Sequence, residues 1–203
     1  MQLSHARTIL CAAVCVGWTT IAAAQEALPK LIRIVVPFAA GGSNDVIARA
    51  LTGPLAKRLD VSVIVENKPG AAGVIGADYV AKAPRDGSVL LLTSSSFLTA
   101  AATQQQLPYD PIAAFAPVAM IGRGPMLLVV SATTPYKSPA DVVAAARAKP
   151  GVLNYGTAGV GSIAHLTTEL MDDTAKIKMT HVPYKGASLA SVDLASGQIQ
   201  VMI

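Results

Sequence analysis

Three loops along this chain combine small or hydroxylated residues with the start of a helix, an arrangement that binds anions through backbone N–H groups. The first is Pro37-Phe38-Ala39-Ala40-Gly41-Gly42-Ser43-Asn44-Asp45. Gly41 and Gly42 let the backbone come close to a ligand, and the helix that follows aims its positive end at the same place. The same residues also fit a plain flexible turn with Ser43 or Asn44 as the helix cap. The second loop, Thr93-Ser94-Ser95-Ser96, offers hydroxyls and N–H groups, or is simply a polar loop. The third, Gly156-Thr157-Ala158-Gly159-Val160-Gly161-Ser162, again joins a strand to a helix start. Its glycine spacing is not the dinucleotide fingerprint, and it lacks the Lys-Ser or Lys-Thr of a P-loop, so nucleotide binding is unsupported.

The repetition matters more than any one loop. Two Gly-rich helix starts facing each other could clamp a ligand with two anionic ends, or with one anionic end and a polar tail. A helix end contributes about 0.3–1 kcal/mol and a charge-assisted hydrogen bond about 1.5–3 kcal/mol. Micromolar affinity needs about 8 kcal/mol net of ordering costs. One loop falls short of that, so donors from both sides are required.

Groups for covalent or metal chemistry are sparse. His165 and Glu169 stand four apart on a predicted helix, with Asp172, Asp173 and His181 nearby in sequence, but no third ligand has convincing spacing. No metal and no cofactor are expected. No Gly-x-Ser-x-Gly elbow occurs, so no catalytic residue is assigned. His165, on the first turn of its helix, reads as a ligand-facing donor. Tyr184-Lys185-Gly186 could add a phenol and a cation, and Lys185 fits a surface lysine equally well.

The elements that must place these loops read as alternating strands and helices. The first half predicts strands at 31–36, 61–66 and 88–92, and helices at 45–59 and 74–82. The first helix shows an apolar face of Val46, Ile47, Ala50, Leu51 and Leu55, with Pro54 expected to kink it. A proline-marked stretch through Pro108, Pro111, Pro117 and Pro125 leads to a strand at 126–130 that crosses between lobes. Ser138 then caps a helix with Pro139 at its first position. The pattern restarts with strands at 152–155, 178–182 and 198–203 and helices at 162–171 and 187–195. Such alternation signals parallel sheets with right-handed crossovers.

Residues 1–24 read as a cleavable secretory signal. His5 and Arg7 are basic, Ile9 to Ile21 is mostly apolar, and Ala22-Ala23-Ala24 places cleavage after Ala24. An N-terminal membrane anchor is the alternative. Cleavage removes Cys11 and Cys15, which excludes thiol chemistry and disulfides from the rest. It leaves fifteen basic against twelve acidic residues, spread along the chain, which gives no reason to expect nucleic acid as a partner.

Four segments carry a family resemblance. Ile32 to Asp45, Val65-Glu66-Asn67-Lys68-Pro69-Gly70-Ala71-Ala72-Gly73, Leu107-Pro108-Tyr109-Asp110-Pro111 and His181-Val182-Pro183-Tyr184-Lys185-Gly186 occur in order. Together they closely resemble the tripartite tricarboxylate transporter receptors of the Bordetella uptake gene (Bug) family. That resemblance implies an α/β, periplasmic binding protein-like, two-lobed (Venus flytrap) fold with parallel-rich sheets. The chain is thus expected to divide into residues 1–24 as signal peptide, 25–123 as the first lobe and 124–203 as an incomplete second lobe. The resemblance implies a periplasmic solute-binding receptor, not an enzyme, that passes a small carboxylate to membrane permease subunits and acts as a monomer. Ligand contacts would fall on Phe38, Ala39, Gly41, Gly42 and Asn44, on Ser94, Ser95 and Ser96, and on Ala158, Gly159, Ser162, His165 and Tyr184. In that family the loop after Phe38 holds the carboxylate through backbone groups and ordered water. Relatives of this kind continue further, so the chain is expected to be truncated at its C-terminus, with a non-binding remnant as one alternative function. An exported enzyme using His165 is the other.

Overall fold

A computed structural model describes residues 28–203, and the predicted signal with its cleavage point lies outside them. Strand β1 (Leu31–Val36) sits between β2 (Ser62–Asn67) and β3 (Val89–Leu91), all parallel. The registers pair Ile34 with Val65 and with Leu90. Helix α1 (Ser43–Leu59) joins β1 to β2, and a 3-10 turn (Ala71–Gly73) leads into α2 (Val74–Ala81) before β3. Helix α3 (Ser96–Thr103) follows β3, so Ser96 opens a helix rather than closing a loop. Its residue Phe97 forms an aromatic cluster with Tyr109 and Phe115 beyond its C-terminal end.

The second sheet has the order β4 (Val129–Val130), β7 (Val201–Met202), β5 (Asn154–Thr157), β6 (Thr180–Pro183). β5 runs parallel to both neighbours, and β4 pairs antiparallel with β7. Helices α4 (Pro139–Ala148) and α5 (Ile163–Ala175) pack on one face, around Val142, Ala146, Leu153, Tyr155, Met179 and Val201. Helix α6 (Ala187–Ser196) covers the other face with Ala190, Leu194 and Ile199. Helices on both faces let the central strand β5 bury Tyr155, Gly156 and Thr157. The two sheets with their helices form the first and second lobes.

Local signals account for several boundaries. Ser138 accepts the Asp141 N–H and the Asp141 carboxylate accepts the Ser138 N–H, a complete capping box with Pro139 behind it. Asp60 ends α1 in the left-handed region at φ 55°. Other expectations are corrected. The cap of α1 is Gly42, with no side-chain cap bond, so neither Ser43 nor Asn44 serves. Helix α1 turns Ala48, Leu51 and Leu55 to the sheet, and leaves Val46, Ile47 and Ala50 exposed. Ala48 fits because a small side chain lets the helix lie close on β1 and β2. The helix continues through Pro54, and Ala50, whose carbonyl loses its partner there, is exposed. The strand expected at 126–130 shrinks to Val129–Val130, because β7 offers only two residues to pair with.

Helix α2 lies so close to the end of β1 that Gly76 has no room for a side chain. A Cβ there would sit 2.7 Å from Pro37 Cβ and 2.9 Å from both Pro37 Cα and the Lys68 carbonyl oxygen. Backbone atoms cannot swing aside, so Gly76→Ala should destabilise the fold by about 2 kcal/mol despite its better helix propensity. A urea titration with unchanged slope and a lower midpoint would report it. A midpoint at or above that of the wild type would refute the packing argument.

Candidate functional site

A cavity of about 520 Å³ opens between the lobes. The first lobe lines it with Ala71, Ala72, Thr103 and Gln104, the second with Gly159, Val160, Pro183, Tyr184 and Lys185. It lies at the carboxyl ends of the strands, where the βα loops of both sheets converge, as ligand sites in open α/β sheets do. The lobes touch on either side of it. On one side the Ala39 N–H donates to the Lys185 carbonyl at 3.0 Å, and the Ser188 hydroxyl donates to the Ala40 carbonyl at 2.9 Å. On the other, the Ile163 N–H donates to the Ser96 hydroxyl at 3.2 Å.

The first-lobe loop is organised by a residue the sequence reading did not single out. Asp45 is buried at 4% exposure, and its carboxylate gathers three partners. Oδ2 accepts the Gly41 N–H at 2.9 Å and Arg49 Nε at 3.0 Å, while Oδ1 accepts Asn67 Nδ2 at 3.0 Å. Asn67 also donates to the Phe38 carbonyl at 3.2 Å. The Arg49 hydrogen bond and those from Gly41 and Asn67 hold the Asp45 carboxyl down at about 2, against the opposing effect of burial. The positive end of α1 thus already faces a carboxylate of its own chain.

The other expected contacts spread over several environments. The Phe38 side chain is buried in the first-lobe core with Ile34, Val36, Ala48 and Leu92. Gly41 is exposed at φ 82°, Gly42 and Asn44 are half-buried, and the Gly42 carbonyl accepts the Val46 N–H. Ser94 and Ser95 offer carbonyls to the first turn of α3, whereas the buried Ser96 hydroxyl reaches across to the second lobe. Ala158 packs against the first-lobe core, and Ser162 caps α5 by accepting the His165 N–H. Gly159 and Tyr184 reach the cavity, but the Tyr184 hydroxyl donates to Asp193 Oδ2 at 2.6 Å. Burial and that bond push the phenol up to about 12.

Behind the second-lobe loop lies a stack of three rings. His165 and His181 stand 4.2 Å apart between centroids, and Tyr155 stacks 4.9 Å from His181. The Tyr155 hydroxyl donates to Glu169, and His181 Nε2 lies 2.6 Å from Thr157 Oγ1. Burial, with the nearby His165, holds His181 below the ordinary histidine range.

The cavity also exposes a strained segment. Gly70, Ala71, Ala72 and Gly73 all have positive φ, with the two alanines at 47° and 51°. Non-glycine residues avoid this region, and they persist in it only where the surroundings over-determine them, commonly at functional sites. Glycines on both sides of an alanine pair, just before a helix, were the available signal in the sequence. Thr103 and Gln104 had none, since they arrive through the fold of α3.

Comparison with known proteins bears on this geometry. A family model described as a tripartite tricarboxylate transporter family receptor matches residues 47–203. The protein BugT of Bordetella pertussis is 39% identical over 170 residues, covering 83% of this chain and 52% of BugT. A protein from R. palustris solved with adipate has a TM-score of 0.82 at 37% identity, covering 85% of this chain and 58% of that one. MatC from Rhodopseudomonas palustris with bound malate has a TM-score of 0.76 at 31% identity, covering 85% of this chain and 59% of MatC. The chain spans about half the length of the curated relatives it matches. The α/β fold with parallel sheets is that of periplasmic binding proteins, as the sequence motifs implied. With the family model matching from α1 to the end of the second sheet, and the solved relatives superposing on the fold, the chain belongs to the tripartite tricarboxylate transporter receptor family, in its Bug branch.

Proposed function

We propose that this chain is a periplasmic solute receptor that closes its two lobes on a small carboxylate and presents it to the permease subunits of a tripartite tricarboxylate transporter, with no catalytic step of its own. The observation that carries this reading is the cavity between the lobes, lined by both, with Lys185 among its residues. At about 520 Å³ it falls within the usual range of small-molecule sites. The relatives solved with adipate and malate hold dicarboxylates, and a ligand with two anionic ends suits a cleft with donors on both walls. In this reading the lobes divide at residues 123 and 124, and the protein works as a monomer.

The Ala39 N–H is the donor of greatest interest. It is spent on the Lys185 carbonyl in this structure, and a carboxylate entering the opened cleft would take it over, with Lys185 placed to follow. The other expected contacts, Gly41, Gly42 and Asn44 with Ser94 to Ser96 in the first lobe and Ala158, Gly159 and Ser162 in the second, belong to the same proposed site. Among the described residues no helix is long and apolar enough to cross a membrane, which agrees with a receptor that meets its permease from outside the bilayer.

The test is thermal unfolding of the chain with a panel of C4 to C6 carboxylates, malate and adipate included. A ligand at 100 times its Kd should add about 2.7 kcal/mol, a rise of roughly 5–10 °C for a chain of this size. Isothermal calorimetry with Gly186→Val supplies the structural control. A Cβ at Gly186 would lie 2.8 Å from the Ala39 nitrogen, so the variant must hold the loops apart and weaken binding at least tenfold. No stabilisation by any acid of the panel would sink the receptor reading, and unchanged affinity in the variant would move the site elsewhere.

A further inference from the structure

The second lobe meets the first through the turn Ala158–Ser162, and that turn has almost no slack. A Cβ on Gly159 would lie 3.1 Å from the Ala72 nitrogen, and one on Gly161 would overlap Thr103 Oγ1 and sit 3.3 Å from Ala100 Cα. Both glycines have positive φ, 122° and 82°, which only glycine adopts without strain. Each N–H of the pair is held from behind by a side chain. Gly159 donates to Thr157 Oγ1 at 3.1 Å, and Gly161 donates to His165 Nδ1 at 3.2 Å.

The second of these bonds depends on protonation. An imidazole nitrogen accepts only through a free lone pair, so His165 must carry its single proton on Nε2. That nitrogen points toward Glu169 Oε1 at 3.9 Å, and the Tyr155 hydroxyl fixes the same carboxylate from the other side. An added proton on Nδ1 would set a donor against the Gly161 N–H, while the imidazolium would keep a counter-charge in Glu169. The Thr157 hydroxyl faces His181 Nε2 in the same way, 1% exposed and with one proton to share between that nitrogen and the Gly159 carbonyl at 3.2 Å. Glu169 and Asp172 stand on α5, Tyr155 on β5 and His181 on β6, while α3, across the interface, carries no titratable group over Ser96–Thr103.

We propose that His165 and Thr157 are positioning residues for ligand capture: their acceptors hold the Gly159–Gly161 turn in the shape that meets the first lobe, and proton uptake by the stacked His165–His181 pair releases it. Lobe closure is then acid-sensitive through histidines that stand behind the turn and do not line the cleft. Burial already disfavours the charged form of His181, which agrees with a pair that is neutral when the turn is set. What closure achieves rests on the receptor reading, but the turn can be followed with no ligand present.

The experiment is amide hydrogen exchange of the ligand-free chain from pH 8 to pH 5, corrected for intrinsic rates and referred to the core amide of Val35. Protection of Gly161 relative to Val35 should fall by up to about tenfold per pH unit once the pair takes up its proton. His165→Asn places an amide oxygen near the Nδ1 position and does not titrate, so it should hold Gly161 at pH 8 and flatten the profile. His165→Ala should lose Gly161 protection at every pH. A flat wild-type profile, or the same slope in His165→Asn as in the wild type, would overturn the proposal. Either result leaves the carboxylate reading untouched, and absence of carboxylate binding leaves the exchange profile equally readable.

Discussion

Replacing Tyr155 by Ala is expected to cost about 3–5 kcal/mol of folding free energy, the largest effect of any single change in the second lobe. Tyr155 is the largest of the fully buried side chains, at 0% exposure in the centre of β5. Its ring packs within the cluster of Val142, Ala146, Leu153, Met179 and Val201 and stacks on His181. Truncation removes that contact area and leaves a void that flanking strands cannot fill, because β5 is hydrogen-bonded on both sides to β6 and β7. Tyr155→Phe separates ring from hydroxyl. It keeps the packing and loses only the bond to Glu169, whose carboxylate is exposed and can turn to water, so about 1 kcal/mol should go. Urea denaturation of both variants checks the pair. Similar losses for Ala and Phe would mean that the hydrogen bond, not the ring, carries the stability.

Asp45→Asn should cost about 2 kcal/mol and, unlike a core change, should show its effect in the pH profile. The amide has one acceptor oxygen where the carboxylate has two, so one of Gly41, Arg49 and Asn67 must face an N–H instead. The sign follows from the direction of the shift. The Asp45 carboxyl sits at about 2 when folded, below its ordinary 3.8, so its contribution is complete above pH 4. It is lost as pH falls through the window from about 4 to about 2, where the unfolded chain binds the proton first. Wild type and variant should therefore differ in chemical stability at pH 7 and converge near pH 2. A constant difference across that window would show that the carboxylate charge is not what holds the loop. Because the same loop carries Ala39 to Lys185, the variant should also lose the lobe contact.

Much of this fold was legible because its signals are local. A run such as Leu31–Val36 ending at Pro37 is a strand by propensity, and Ser138-Pro139 with Asp141 is a helix start by capping chemistry alone. The alternation of such segments leads to parallel sheets, and the motifs at Ile32–Asp45 and His181–Gly186 lead to the family. Failures cluster where the decision is not local. Val46 and Ile47 read as a core face, but the sheet receives α1 along Ala48, Leu51 and Leu55, since close approach favours the small side chain. Met126 to Leu128 continue the apolar run before Val129 and form no strand, because pairing needs a partner and β7 supplies two residues.

For the site the division is the same. From the sequence alone come the donors: Gly-rich turns at two helix starts, hydroxyls beside them, and a histidine one turn into α5. Tertiary structure decided which of those donors are free. The Ala39 N–H meets a carbonyl 146 residues away, the Ser96 hydroxyl meets a helix in the other lobe, and His165 turns its acceptor to Gly161 and not to the cleft. Residue types state what a group can bond to, whereas the bond it makes depends on which partner the packing of two lobes brings within about 3 Å.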